Sequence, residues 1–192
     1  MNSDVRSQNG EEVCEFVWLA VAAYDKTERA FRSLEDWRDD SNSSRPVLSA
    51  ISEVVSHVEV FVVESLTMHA KLISASSVEP IPDIVMNSIS KPVESSWNER
   101  RKFIKTWLGV DVVDAGWWRS WLGFVDARNA WAHGLGRLTS RQRNSQEVLA
   151  NLRAAGLAVQ ASKVVGTPAD VKKCAKSAVE VIDWIDQRVR RV

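Results

Sequence analysis

Between residues 12 and 38 no proline or glycine interrupts the chain, and Val13, Phe16, Val17, Ala20, Ala23 and Tyr24 recur at steps of three and four. That spacing predicts a helix with one buried face. Residues 39–44 are polar and turn-prone, and Pro46 suits the first turn of a second helix, where its missing N–H costs nothing. Residues 47–73 then run without a break, with Val54, Val55, Val58, Phe61, Val62, Ser65, Leu66 and His69 forming a wide apolar strip. β-Branched residues are frequent there, yet 27 residues without a turn signal are too many for a strand, so the length decides for helix.

Pro80, Pro82 and Pro92 interrupt regular structure across residues 74–96, which read as a connector holding at most a short helix at 83–90. Residues 97–109 read as a helix with Phe103, Ile104, Trp107 and Leu108 inward and Arg100, Arg101, Lys102 and Lys105 outward. A further helix should start near Asp114 or Ala115, with Asp114 as its cap. It should end at Gly134, since glycine tolerates the left-handed conformation that closes helices. The alternation of Val159, Ala161 and Val164 suggests a small β-hairpin in residues 158–165. Residues 170–191 form a last helix with Val171, Cys174, Ala175, Ala178, Val179, Ile182, Ile185 and Val189 inward.

The expectation is an all-α chain, an antiparallel helical bundle with a small β-hairpin before the C-terminal helix. One domain should span residues 1–192, with a flexible N-terminus at 1–9 and the connector at 74–96. A chain of this length buries roughly 70% of its unfolded surface and needs no staple. Cys14 and Cys174 lie near opposite ends without metal-ligand spacing, which suits a reducing compartment, a single bridge being the alternative. No apolar run approaches the ~18 residues of a membrane span and no signal-like start is present, so the expectation is a cytoplasmic chain with no membrane partner.

The charges balance at 25 against 25, but not by position. Residues 1–99 carry a net −9 and residues 100–192 a net +9. Cations near phosphates supply most of the non-specific affinity for nucleic acid, so the basic half is the candidate RNA-binding side. Mutual attraction of the two halves is an equally good account of the same asymmetry.

That basic half contains Arg128-Asn129-Ala130-Trp131-Ala132-His133-Gly134-Leu135-Gly136. An Arg and a His five apart have a chance expectation of about 0.25 in this composition, which decides nothing; requiring Asn after the Arg lowers it to roughly 0.01. Arginine forks onto phosphate oxygens, and histidine moves a proton near neutral pH.

With this motif the chain resembles the HEPN domains, all-α proteins marked by an Arg, usually a polar residue, three more positions and a His. The long amphipathic helix before the motif, the tryptophans around it, the glycines after the His and the helical tail extend the likeness over residues 10–190. The resemblance implies a homodimeric, metal-independent ribonuclease of the toxin or abortive-infection kind, with Arg128, Asn129 and His133 in the catalytic roles, although some members of the family are non-catalytic. An antitoxin protein is an implied partner. The subgroup neutralised by a nucleotidyltransferase antitoxin carries Tyr two residues after the His, where this chain has Leu135, so that mode of control is not implied.

On a helix, Asn129 and His133 lie about 40° apart, whereas Arg128 is displaced about 140° from His133. All three reach one phosphate only if the helix unwinds at His133 or if a second protomer completes the site; the resemblance favours a dimer through the motif helix. Two His133 would then serve as base and acid, and the arginines would stabilise the phosphorane. No cofactor and no metal is expected. Arg100, Arg101 and Lys105, with Arg137 and Arg141 after the motif, are the candidate RNA-binding cations.

Trp117, Trp118, Trp121 and Trp131 read as core or dimer contacts in preference to base-stacking platforms. Asp126 reads as a solvated acid in preference to a partner for Arg128, and His57, Glu64 and His69 as structural or surface residues. Two other functions fit the same chain: a non-catalytic HEPN-like dimerisation module that binds RNA, a nucleotide or a protein, and a defence-complex subunit that binds a nucleotide or a partner protein through its acidic half.

Overall fold

The computed structural model describes residues 18–29, 32, 44–75 and 95–190. Helix α1 covers residues 18–29, α2 Arg45–Ala75, α3 Trp97–Trp107, and a 3-10 turn Val112–Asp114. The motif helix α4 (Trp118–Gly134), the short α5 (Ser140–Arg143) and α6 (Gln146–Ala154) follow. Strands β1 (Ala158–Gln160) and β2 (Lys163–Val165) and the last helix α7 (Pro168–Val189) complete the order. Among the described residues the fold is all-α apart from that hairpin. The N-terminus at 1–9, Val13, Phe16, Val17, Cys14 and the short helix at 83–90 lie outside the described residues.

Contacts sort the chain into two compact units, 1–24 with 59–112 and 182–192, and 25–58 with 113–181. In the first, Leu19, Ala20 and Ala23 of α1 are buried, and the Tyr24 hydroxyl donates to Asp183. Burial, and then the Asp183 carboxylate, push the Tyr24 hydroxyl pKa up. His69 on α2 is buried and its Nδ1 lies 3.4 Å from the Val189 carbonyl; burial lowers its pKa. These are structural placements.

All eight residues of the apolar strip expected on α2 are buried. The most apolar window of Arg45–Ser74 is long and apolar enough, by length and composition alone, for a membrane span, contrary to the expectation from sequence. Half of that window is buried inside the protein, as in a core helix. On α7, Val171, Cys174, Ala178, Ile182, Ile185 and Val189 are buried as expected, whereas Val179 is exposed and Val181 takes the inward place. Steps of three and four from Ala178 reach Val181 and Ile182, so the stripe passes Val179 by.

The second unit is built on α4 and α6. They pack tightly at Gly123: a Cβ there would lie 2.2 Å from the Asn151 carbonyl oxygen and 2.7 Å from the Ala155 Cβ. With Ala127 and Ala130 also fully buried, a face of small residues lets the two backbones meet. Trp117, Trp118, Trp121, Phe124 and Val125 are the other buried residues of this segment.

The hairpin is present, with Ala158 opposite Val165 and Gln160 opposite Lys163. Ala161 and Ser162 both take positive φ, the arrangement of a two-residue I′ turn. Val164 and Leu138 are buried on its inner face, and Gly136 lies there against Leu48.

Helix α4 ends at Gly134 as expected, but the left-handed residue that closes it is not the one expected. Gly134 is its last helical residue, and the left-handed position belongs to Leu135 (φ 49°, ψ 44°), followed by Gly136 at φ 90°. The N–H groups of Leu135 and Gly136 take the carbonyls of Trp131 and Ala130, which close the helix one residue later than a glycine stop at 134 would. A start at Asp114 is likewise not seen, because that residue ends the 3-10 turn and the helix begins at Trp118.

A Cβ on Gly134 would meet only the Arg137 Cβ at 3.4 Å, whereas one on Gly136 would sit 2.9 Å from the Leu48 Cδ1. Gly134→Ala is therefore expected to be neutral or to stabilise by up to about 1 kcal/mol. Gly136→Ala should cost about 1–3 kcal/mol from crowding and positive φ. Urea midpoints compare them, and equal losses at both positions would contradict this ending.

Candidate functional site

α4 carries the motif on its last two turns. Its buried residues Trp118, Trp121, Phe124, Val125, Ala127 and Ala130 anchor the helix and leave His133 exposed. Arg128 and Asn129 are half-buried, and the Arg128 Nε is shut off from solvent. The helix stays α-helical through Gly134, so it does not unwind at His133. Asn129 and His133, four apart, share one face of the helix, and Arg128 projects from another.

Asp126 sits one turn earlier, and it is not a solvated acid. Asn151 Nδ2 on α6 donates to its Oδ2 at 3.1 Å, and Gln142 Nε2 on α5 donates to its backbone carbonyl at 3.3 Å. Gln142 also closes a capping box with Thr139 that starts α5. Asp126 therefore ties α4 to the short helix bearing Arg141 and Arg143, both exposed. Sequence reasoning missed Asn151 and Gln142 because neither carries a motif; the tie depends on α5 and α6 folding back along α4.

Burial raises the Asp126 carboxyl to about 6, with Glu147 adding to the rise and the Asn151 hydrogen bond opposing it. A folded-state pKa above the unfolded value means that the folded protein holds this proton more tightly between about pH 4 and 6. Stability from this group is then full at acid pH and lost as pH rises through 6. Asp126→Asn should remove that loss, so its stability relative to wild type should improve by on the order of 1 kcal/mol between pH 5 and pH 7. Urea midpoints at the two pH values test this, and a difference that does not vary with pH would refute it.

The basic cluster expected on the helix at 97–109 is arranged differently. Arg100 is buried, not exposed: its Nη1 donates to the Glu59 Oε1 at 3.2 Å and its guanidinium lies 5.2 Å from the Trp97 ring centre. Trp97 Nε1 donates to the same carboxylate at 3.1 Å. Arg101 forks onto Asp111 at 2.8 and 2.9 Å, and Lys105 reaches Asp111 at 3.2 Å. Arg100 is thus taken out of any exposed phosphate-binding surface, and Arg101 and Lys105 already share a carboxylate. Glu59 lies 41 positions from Arg100, and Asp111 lies past the end of α3, ten positions from Arg101, so helix periodicity does not show that these cations are paired.

Arg137 and Arg141 are exposed and belong to the same compact unit as the motif. Trp117, Trp118 and Trp121 are buried, as the core reading expected, and Trp131 is half-buried. His57 is half-buried; burial lowers its pKa, opposed by Glu53. Among the described residues no group of three or more His, Cys, Asp or Glu is placed to hold a metal ion. Cys174 is fully buried, which pushes its thiol pKa up and leaves it inert.

What the arrangement offers chemically is an exposed imidazole and a carboxamide on one helix face, with an arginine on the adjoining face and further cations after the helix. Compared with protein-family models, with curated proteins and with solved structures, the chain matches none.

Proposed function

We propose that the chain is a HEPN-type, metal-independent endoribonuclease that works as a homodimer in the cytoplasm, in a toxin–antitoxin or abortive-infection role. The observation that carries this reading is His133, exposed at the end of an unbroken helix, with Asn129 four residues before it and Arg128 five before. A regular helix does not aim all three at one phosphate, so the site is completed by the same residues of a second copy about a two-fold axis.

In that cleft one His133 takes the proton of the ribose 2′-hydroxyl and the other protonates the departing 5′-oxygen. The oxygen–phosphorus bond from the 2′-oxygen forms as the bond to the 5′-oxygen breaks, leaving a 2′,3′-cyclic phosphate and a 5′-hydroxyl. Arg128 stabilises the charge on the phosphorane, and Asn129 binds a phosphate oxygen or orients the imidazole. Each step uses groups of the chain and the substrate alone.

The test is incubation of the purified protein with RNA in EDTA, with DNA and 2′-O-methyl RNA alongside. Cleavage of the RNA alone, to cyclic phosphate ends, is the expected result. Intact RNA under all conditions sinks the nuclease and leaves a non-catalytic HEPN-like module as the reading of the motif.

A further inference from the structure

We infer that Arg137 and Lys163 form a clamp for one internal phosphate of an RNA strand, beside the end of the motif helix. The inference rests on the nuclease reading for its ligand and adds a binding site to it.

Arg137 forms an antiparallel bridge with Lys163, flanked by hydrogen bonds from Leu138 N–H to the Ser162 carbonyl and from Val164 N–H to the Gly136 carbonyl. Those two bonds lie outside the pair, which makes it a non-hydrogen-bonded pair, the closer of the two kinds, with both side chains leaving the same face. Leu138 and Val164 point inward, so Arg137 and Lys163 point outward, and both are exposed. Gln160, opposite Lys163 on β1, extends the row with an exposed amide.

Two cations facing each other across a narrow pair repel, a destabilising arrangement unless an anion lies between them. Among the described residues neither forms an ion pair with a carboxylate, whereas Arg101, Lys105 and Lys173 do. Edge protection does not account for Lys163, which lies between its two pairing partners, Arg137 and Gln160, and not at the margin of the ribbon. The clamp is tied to the motif: Arg137 N–H donates to the Gly134 carbonyl, one residue after His133, and the bare side of Gly134 faces the Arg137 Cβ. A strand whose scissile phosphate is at His133 has a neighbouring phosphate to place here.

The test measures binding of a short 2′-O-methyl oligoribonucleotide with hydroxyl ends to the full chain at several salt concentrations. Lys163→Ala, Arg137→Ala and the double variant should each lower the slope of log affinity against log salt by about 0.7, the double variant by no more than either single one, because both cations hold the same phosphate. Lys172→Ala removes an exposed cation of α7 in the same unit and should leave the slope unchanged. Slopes for the clamp variants equal to that of Lys172→Ala overturn the clamp, even if wild type cleaves RNA. Reduced slopes without cleavage by wild type support the clamp while the nuclease reading fails. A dependence confined to a 5′-phosphorylated oligomer reassigns the pair to a terminal phosphate and overturns the backbone assignment.

Discussion

Exchanging His133 for alanine should lower RNA cleavage in EDTA by about 10²- to 10⁴-fold, the usual worth of a positioned acid–base group. The side chain is exposed, so the loss should come without loss of stability, and an unchanged melting temperature is part of the expectation. Mixing experiments go further. If one His133 acts as base and the partner copy's acts as acid, a heterodimer with one alanine is inactive. After random exchange of subunits, activity then falls with the square of the wild-type fraction. A linear fall would show that each copy is self-sufficient and would remove the shared cleft. Arg128→Lys is the companion variant: it keeps the charge but loses the planar fork, so cleavage should drop by about 10²-fold if the guanidinium grips the phosphorane.

Gly123→Ala should unfold the second unit more readily than any other single methyl added to it. Helix propensity alone says the opposite, because alanine is favoured over glycine in a helix interior by about 1 kcal/mol. The added Cβ, however, would stand 2.2 Å from the Asn151 carbonyl oxygen, and a backbone atom yields only if α6 moves as a whole. Overpacking of this kind costs about 3 kcal/mol, and moving α6 also weakens the Asn151 bond to Asp126. For a chain of this size that is a fall of roughly 6–12 °C in melting temperature. Gly116→Ala is the control, since nothing lies within 4 Å of its added Cβ. A melting temperature for Gly123→Ala at or above wild type would contradict the close helix contact.

The two predictions meet at one place. α6 holds α4 through Gly123 and Asp126, and α4 presents His133 at its free end. The close contact also explains why small residues occupy the inner face of a helix that is otherwise rich in tryptophan.

The long apolar strip of α2 and the buried stripe of α7 were legible because helical periodicity is a local property, repeated often enough in each to outweigh single exceptions such as Val179. The hairpin was legible from alternation at Val159 and Val164, and the motif from its spacing. Arg100 was not, since an arginine on an amphipathic helix reads as solvent-facing until a carboxylate from elsewhere in the chain is placed beside it. The same holds for Asp126, whose partner Asn151 lies 25 positions away. At the end of α4, glycine's tolerance pointed to Gly134 as the left-handed residue, yet Leu135 takes that conformation, followed by Gly136, which lies close to Leu48.

Order along the chain therefore settled the long helices α2, α3, α4 and α7, most of their apolar faces and where the Arg-Asn-His spacing falls, since each depends on neighbours within a turn or two. Helices α5 and α6 were not expected from it. Tertiary structure alone decided which cations remain outside ion pairs and how Lys163 comes to stand beside Arg137. The Arg100–Glu59 pair and the Arg137–Lys163 bridge join residues far apart in sequence, and the burial of the one and the exposure of the other are set by those partners.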